Sequence, residues 1–253
     1  MRLAGKVSLV TGAGSGIGQA IAQQFAKEGA IVVAVDLNAE AVKATQESIE
    51  ATGGQCDSFG VDVSKEAQVK DAIAKTVKQF GQLDIIHNNA GISILKLITE
   101  TTEADFDKLL SVNLKGVFFG CKHAIPHMLT QGGGIIINQA SELAFIGQPL
   151  YSAYCATKGG VLALTRALAT EWAAKNIRVN AICPGPIDTP MIHAEFALSD
   201  DQLAEKKALI STIPSGRLGT SEDIARVAVF LATDDAAFVQ GASIVADGGR
   251  TII

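Results

Sequence analysis

The most constraining feature of the sequence is a repeated alternation between short apolar segments and longer segments of helical periodicity. The short segments are rich in β-branched residues, which favour strands. In the longer segments apolar side chains recur three or four positions apart, which is typical of an amphipathic helix. The predicted strands are residues 6–11, 31–36, 55–63, 83–87, 134–138, 177–182 and 242–245. The predicted helices are residues 16–28, 39–50, 66–80, 103–129, 152–174 and 221–232.

This alternation predicts the class of fold. Strands that are apolar along their whole length are buried on both faces, which favours a parallel sheet covered by helices on each side. Repeated strand–helix–strand units build a doubly wound α/β fold of the Rossmann type, here with a parallel sheet of about seven strands. We expect a single domain over residues 1–253, with a cofactor half of about 1–140 and a catalytic and substrate half of about 141–253.

Two segments depart from the regular pattern. Residues 184–215 follow a predicted strand and are loop-like apart from a helical patch near 201–209. A long segment after the carboxyl end of a strand is well placed to cover a substrate, so we expect a lid here. In the long helix 103–129, Pro126 lacks an amide hydrogen and is expected to disturb the last turns.

The composition argues against several classes of function. The chain has 253 residues, of which 48% are hydrophobic and 19% charged, and its net charge is −5. Lys and Arg are scattered, so no nucleic-acid partner is expected. The isolated cysteines and histidines match no metal-binding spacing, which predicts reduced thiols and no metal site. Because no apolar run reaches membrane-spanning length, we expect a cytoplasmic protein without a membrane partner.

A glycine-rich turn follows the first predicted strand and opens the first helix. Its spacing is Gly12-x-x-x-Gly16-x-Gly18. Glycine lets the backbone turn sharply and approach a pyrophosphate, and a helix N-terminus supplies N–H groups and a positive dipole end. The pattern predicts a dinucleotide site, and the alternative is a tight turn that binds nothing.

Asp36, at the end of the second predicted strand, indicates which dinucleotide is bound. A carboxylate at this distance from the glycine turn accepts hydrogen bonds from both hydroxyls of the adenosine ribose, and it repels a 2′-phosphate. Leu37 and Asn38 follow it, so no basic residue reverses this preference. The sequence therefore favours NAD over NADP.

With these features, the whole chain resembles the short-chain dehydrogenase/reductase family, in its single-domain branch. Residues 11–18 resemble the TGxxxGxG turn of that family and residues 88–91 resemble its NNAG segment. Further matches are the adenine-contacting pair Asp62-Val63, the nicotinamide segment with Pro184, Gly185 and Thr189, and the C-terminal Asp247-Gly248-Gly249. Together these features indicate a cofactor site made of Gly12, Ser15, Gly16, Ile17, Gly18, Asp36, Leu37, Asp62, Val63, Asn89, Ala90, Gly91, Tyr154, Lys158, Pro184, Gly185, Ile187 and Thr189.

The resemblance also implies a catalytic tetrad of Asn113, Ser141, Tyr154 and Lys158. Tyr154 and Lys158 are four positions apart on a predicted helix, so they share one face, and the ammonium is expected to favour the phenolate. The resemblance adds that Lys158 binds the nicotinamide ribose. Ser141 follows the fifth strand and can orient the substrate oxygen. Asn113 either holds a water that links Lys158 to solvent or caps a local kink.

The predicted reaction is a hydride transfer between a secondary alcohol and a ketone, with Tyr154 as general acid and base. Tyr151 has Cys155 four positions on, which supplies no cation, so Tyr151 is expected to line the pocket. Glu142 is either a polar pocket wall or solvated. The expected substrate-binding residues are Ser141, Leu143, Tyr151, Met191 and His193.

Two other functions remain open at this stage. One is a catalytically silent NAD-binding regulatory protein, and the other is an epimerase or dehydratase that recycles NAD internally. The long helices 103–129 and 152–174 are apolar on more than one side, which predicts contact with further subunits. Because the family commonly forms tetramers on this helix pair, we expect a homotetramer.

Overall fold

The computed structural model describes residues 1–252, and its centre is one parallel sheet of seven strands. The strand order is β3-β2-β1-β4-β5-β6-β7, so the direction of winding reverses between β1 and β4. The expected doubly wound Rossmann fold is confirmed. The strands are β1 (Val7–Thr11), β2 (Ile31–Asp36), β3 (Gln55–Gly60), β4 (Ile85–Asn88), β5 (Gly134–Gln139), β6 (Ile177–Pro184) and β7 (Ser243–Ala246).

Helices cover both faces of the sheet, which explains why β2 is apolar on both of its faces. The side chain of Val32 lies in the core on one face of the sheet, whereas that of Val33 lies in the core on the opposite face. The helices are α1 (Gly16–Lys27), α2 (Ala39–Ala51), α3 (Glu66–Phe80), α4 (Glu103–Leu110), α5 (Gly116–Gln131), α6 (Ser152–Trp172), α7 (Pro190–Phe196), α8 (Gln202–Ser211) and α9 (Ser221–Ala232). Within residues 1–252, no helix is both long and apolar enough to cross a membrane.

The predicted helix 103–129 differs from the structure in two respects. A π-helical turn, Ser111–Lys115, separates α4 from α5, and helical periodicity alone does not reveal it. Pro126 does not end the helix, which continues to Gln131. Ile125 and Met128 are buried on either side of the proline, so packing against the sheet outweighs its local effect.

The predicted lid, residues 184–215, is more regular than expected. It contains α8 near the predicted helical patch, and also α7, which the sequence analysis missed. Pro190 occupies the start of α7, where its fixed φ suits a helix, and Ile192 and Phe196 are four positions apart. These two side chains pack with Ile213 and Leu218 in a small core separate from the two cores of the sheet.

A chain of buried polar side chains connects the central strands to the helices behind them. Asn88 Nδ2 donates to Asn138 Oδ1 at 2.9 Å, and Asn138 Nδ2 donates to Thr165 Oγ1 of α6 at 3.0 Å. Gly120 of α5 lies directly over the Asn88 amide. The amide therefore fits in the core because α5 presents no side chain at this position.

This packing can be tested at Gly120. A Cβ at this position would overlap with Asn88 Oδ1, so we expect Gly120→Ala to lower the free energy of unfolding by about 1–3 kcal/mol, although alanine favours a helix. Urea denaturation followed by circular dichroism measures the change. The matched control is Gly147→Ala, where a Cβ meets nothing within 4 Å. Equal stabilities for the two variants would contradict the argument.

Candidate active site

The carboxyl ends of the strands border a cavity of about 550 Å³ that extends from the glycine turn to the lid. It lies where the winding of the sheet reverses, as ligand sites of doubly wound folds do. Every cofactor-binding residue predicted from the sequence lines this cavity. The predicted residues from the two halves of the chain are thus brought together around one space.

The glycine turn has the conformation that a phosphate cradle requires. Gly12 and Gly16 have positive φ angles of 66° and 53°, which other residues rarely adopt. A Cβ at Gly18 would overlap with the carbonyl oxygen of Gly12. The side chain of Ser15, the N-cap of α1, makes no capping hydrogen bond, so no side chain covers the helix N-terminus here. The turn therefore fits the pyrophosphate of a dinucleotide.

Asp36 is fixed at the cavity wall by two backbone groups. Its Oδ2 accepts a hydrogen bond from the N–H of Gly14 at 2.9 Å, and its Oδ1 accepts from the N–H of Asn38 at 2.9 Å. Each oxygen keeps a lone pair for a further donor. The carboxylate is thus oriented before any ligand arrives, and its free lone pairs suit a pair of ribose hydroxyls.

The segment after β4 is joined to the end of β1 next to the glycine turn. The backbone N–H groups of Asn89 and Ala90 both donate to Thr11 Oγ1, at 2.9 and 3.0 Å. Asn89 Nδ2 donates to the carbonyl of Thr11 at 2.9 Å. These bonds fix the distance between the two strands that flank the reversal of the sheet.

Asn113 lies in the π-helical turn and is fully buried. Its Oδ1 accepts from the N–H of Ile92, and its Nδ2 donates to the carbonyl of Ile92, both at 2.9 Å. Asn113 does not line the cavity, but it lies close to Lys158. Asn113 Oδ1 and Lys158 Nζ are both near Gly91, where they would lie 3.4 and 3.5 Å from a Cβ. The side chain therefore anchors the loop after Gly91 to the π-helical turn.

Ser141, Tyr154 and Lys158 converge on the centre of the cavity. Lys158 Nζ lies 5.6 Å from the centroid of the Tyr154 ring and donates to the carbonyl of Gln139 at 2.9 Å. Ser141 Oγ accepts from the N–H of Leu143 at 3.2 Å, which orients the hydroxyl. The three side chains thus line the same part of the cavity.

The electrostatics of this centre differ from the sequence-based expectation. Burial raises the pKa of Tyr154 above its usual value, and the hydrogen bond with Ser141 only partly offsets this. Burial also lowers the pKa of Lys158 to about 8. We expected the ammonium to favour the phenolate, but loss of solvation dominates, so the free protein holds Tyr154 in its protonated form.

At the substrate end of the cavity, the structure places four of the five predicted residues on the wall: Ser141, Leu143, Tyr151 and Met191. The fifth predicted residue, His193, does not line the cavity. α7 turns Ile192 inward, whereas the His193 ring faces outward, with Nε2 2.6 Å from Asp188 Oδ1. The difference arises because no helix was predicted over residues 190–196, so the side of the helix on which His193 lies could not be predicted.

Two polar clusters on this wall were not predicted. In the Arg250 cluster, the guanidinium contacts Glu142, Gln148 and Thr212. Glu142 is therefore a buried pocket wall, and burial raises its pKa to about 7 although the nearby Arg250 guanidinium lowers it. No local motif points to Arg250, because its partner Glu142 lies 108 positions earlier in the chain.

The Glu195 cluster joins the lid to two other segments. Glu195 Oε2 accepts from the Tyr151 hydroxyl at 2.7 Å, and Glu195 Oε1 accepts from Ser93 Oγ at 2.6 Å. The Tyr151 ring packs edge-on against that of Tyr154, with 6.0 Å between centroids. Glu195 thus faces the substrate end of the cavity, next to the catalytic tyrosine predicted from the sequence.

Comparison with known proteins identifies this arrangement. Residues 12–251 match a family model described as enoyl-(acyl carrier protein) reductase. The chain belongs to the short-chain dehydrogenase/reductase family. Membership confirms the resemblance inferred from the motifs, and it makes the chain an oxidoreductase of alcohols and ketones that binds a nicotinamide cofactor.

Individual relatives cover essentially the whole chain. A 3-oxoacyl-[acyl-carrier-protein] reductase of Thermotoga maritima is 41% identical over 254 residues, which is 100% of both chains. A D-threitol dehydrogenase of Mycolicibacterium smegmatis is 42% identical over 251 residues, or 99% of this chain and 95% of the relative. The crystal structure of levodione reductase superposes with a TM-score of 0.97 at 38% identity, and covers 99% of each chain.

The buried Lys158 has a measurable consequence for stability. Its pKa falls from 10.5 to about 8 on folding, so the penalty for burying the ammonium is full below about pH 8 and fades as the pH approaches 10.5. Lys158→Met removes this penalty, so its effect on the free energy of unfolding depends on pH. We expect the change relative to wild type to be about 2 kcal/mol more stabilising at pH 7 than at pH 9.5. Chemical denaturation at both pH values measures this difference.

The matched control is Lys175→Met, since Lys175 is exposed. Its effect on the free energy of unfolding should stay within about 0.5 kcal/mol across the same pH range. If the effect of Lys158→Met were equally independent of pH, the lysine would not be held with a depressed pKa.

Proposed function

We propose that the protein is an NAD-dependent dehydrogenase/reductase that interconverts a secondary alcohol and a ketone, with Tyr154 as general acid and base. The reaction is R₂CHOH + NAD⁺ ⇌ R₂C=O + NADH + H⁺. The observation that carries the proposal is the convergence of Ser141, Tyr154 and Lys158 in the cavity that begins at the glycine turn. Relatives called dehydrogenases and reductases support a reaction that runs between alcohol and ketone.

The chain offers a complete set of groups for NAD. We assign the pyrophosphate to the glycine turn, the adenosine ribose to Asp36 and the adenine to Asp62 and Val63, all of which line the cavity. Residues 184–189 are assigned to the nicotinamide end and Lys158 to its ribose. When bound, the cofactor supplies or accepts the hydride.

The protein's own residues then position the substrate and move one proton. Ser141 donates a hydrogen bond to the substrate oxygen and holds it near the Tyr154 hydroxyl. Because burial keeps Tyr154 protonated, this hydroxyl can donate a proton to the alkoxide that forms during reduction. Asn113 keeps the loop beside Lys158 in place through Ile92. Whether it also holds a water beside Lys158 stays a prediction.

The homotetramer and the cytoplasmic location stay predictions as well. Large apolar side chains are exposed on the helices expected to meet other subunits: Phe106 on α4 and Phe118 on α5 are 41% and 48% exposed. Their exposure supports an assembly through α4 and α5, which together make up the predicted helix 103–129. The division into cofactor and substrate halves, with residues 184–215 as the lid, is likewise part of the proposal.

The role of Tyr154 is tested by removal of its hydroxyl. We expect Tyr154→Phe to lower kcat by about 10²- to 10⁴-fold, because no other group replaces the proton donor. NADH affinity, measured by fluorescence titration, should stay within about twofold, since the ring remains. A thermal melt of the same sample shows that the variant is folded. Near-native turnover by this variant would refute the assignment, and binding without turnover in wild type would favour the regulatory alternative.

The choice of cofactor is tested at Asp36. We expect wild type to prefer NAD over NADP by at least about 10²-fold in kcat/KM, and Asp36→Ser to reduce that preference by about tenfold or more. The carboxylate both accepts from the ribose and repels the 2′-phosphate, so its loss acts on both cofactors. Asp71→Asn on the exposed face of α3 is the control and should leave the ratio unchanged. A wild type that used NADP equally well would rule out this role of Asp36.

A further inference from the structure

The wall of the cavity beyond Tyr154 is more polar than a simple secondary alcohol requires. The Glu195 cluster and the Arg250 cluster both contribute to this wall. The members that line the cavity come from three separate segments of the chain: Glu142, Gln148 and Tyr151 from one, Glu195 from a second and Arg250 from a third. Because these side chains come from distant segments, the fold of the chain fixes their arrangement. This wall is in the position to recognise the part of the substrate that does not react.

The Glu195 carboxylate can accept further hydrogen bonds. Its two oxygens each accept one hydrogen bond, from Tyr151 and from Ser93, and each keeps a lone pair. The bonds hold the carboxylate in one orientation, and the Tyr151 ring places it one side chain away from Tyr154. A hydroxyl close to the reacting carbon can donate to this carboxylate, whereas an alkyl group leaves it without the donor.

The guanidinium of the Arg250 cluster is already engaged by other side chains of the wall. The guanidinium is in direct contact with the Glu142 carboxyl group and also donates to Gln148 Oε1 at 2.8 Å. Glu142 is only 3% exposed, and its Oε2 has no hydrogen-bond partner among residues 1–252. Within the part of the chain that the structure describes, the cluster thus contains one carboxyl oxygen without a hydrogen-bond partner, Glu142 Oε2, next to a guanidinium that already has partners.

The charge around the substrate position therefore disfavours anions. Beyond Tyr154, the single guanidinium of Arg250 faces two acidic side chains, Glu142 and Glu195. Lys108 also lines the cavity, but it is exposed on α4, where water screens its charge. A carboxylate or phosphate on the substrate would lie close to Glu195, whereas the Arg250 guanidinium already contacts Glu142 and the Lys108 ammonium is exposed to solvent.

We propose that the substrate is a neutral polyol, or the matching hydroxyketone, with a second hydroxyl that donates a hydrogen bond to Glu195. The same carboxylate excludes substrates that carry a negative charge. This inference rests on the proposed alcohol dehydrogenase function. In the oxidative direction, the reacting carbon loses a hydride to NAD⁺ and its hydroxyl loses a proton through Tyr154, and the second hydroxyl is unchanged.

Three secondary alcohols of four carbons test the proposal: 2,3-butanediol, 2-butanol and 3-hydroxybutyrate. NADH formation gives kcat/KM for each with the same enzyme preparation, so the ratios do not depend on the fraction of active protein. We expect 2,3-butanediol to exceed 2-butanol by about tenfold or more, the effect of a hydrogen bond to a charged acceptor. We expect 3-hydroxybutyrate to fall below 2-butanol.

Glu195→Gln assigns these preferences to one side chain, because it removes the charge and keeps the length. We expect it to lower the ratio of 2,3-butanediol to 2-butanol by about tenfold and to raise the ratio of 3-hydroxybutyrate to 2-butanol. The matched control is Glu205→Gln, on the exposed face of α8 in the same lid, which should change neither ratio. Thermal melts of both variants establish that they fold.

The possible failures are distinguishable. If 2-butanol reacts as well as 2,3-butanediol, or if Glu195→Gln leaves both ratios unchanged, the inference is wrong and the dehydrogenase function stands. A preference for 3-hydroxybutyrate would reassign the wall to an anionic substrate held by Arg250. If none of the three alcohols yields NADH, the proposed function fails, and the inference fails with it.

Discussion

The site depends on a close contact between two backbones at the point where the sheet reverses its winding. The end of β1 turns so tightly that Gly18 packs against the carbonyl of Gly12, and Thr11 binds the segment after β4 through three hydrogen bonds. Helix α1 follows β1 on one face of the sheet and α5 follows β4 on the other, so a crevice remains between them. The groups assigned to cofactor and substrate border this crevice, so their positions follow from the backbone before any side chain is considered.

Much of this could be read from the sequence because the signals are local. Apolar runs, helical periodicity and the glycine spacing gave the sheet, the helices that cover it and the turn. Tyr154 and Lys158 were found for the same reason, since four positions on a helix fix a common face. Membership of the short-chain dehydrogenase/reductase family supports the fold and the reaction class that these signals indicated.

The features that the sequence did not reveal depend on contacts between distant residues. Arg250 reaches the cavity only because the C-terminal segment folds back toward Glu142. The π turn at Asn113 is stabilised by the backbone of Ile92, outside its own helix. The pKa of Tyr154 is governed by burial, which exists only in the folded chain. Periodicity carries no information about such contacts, which is why α7 and the outward orientation of His193 were also missed.

The small core around α7 has a consequence for how the protein uses binding energy. Ile192 and Phe196 of α7 pack with Ile213 and Leu218, so this part of the segment is held by apolar contacts within the folded chain. The segment therefore acquires its shape during folding of the chain, and an arriving substrate need not supply the free energy to order it. A disordered loop of the same length would consume part of the substrate's interaction energy in becoming ordered. In a preorganised segment, that energy remains for discrimination between alcohols.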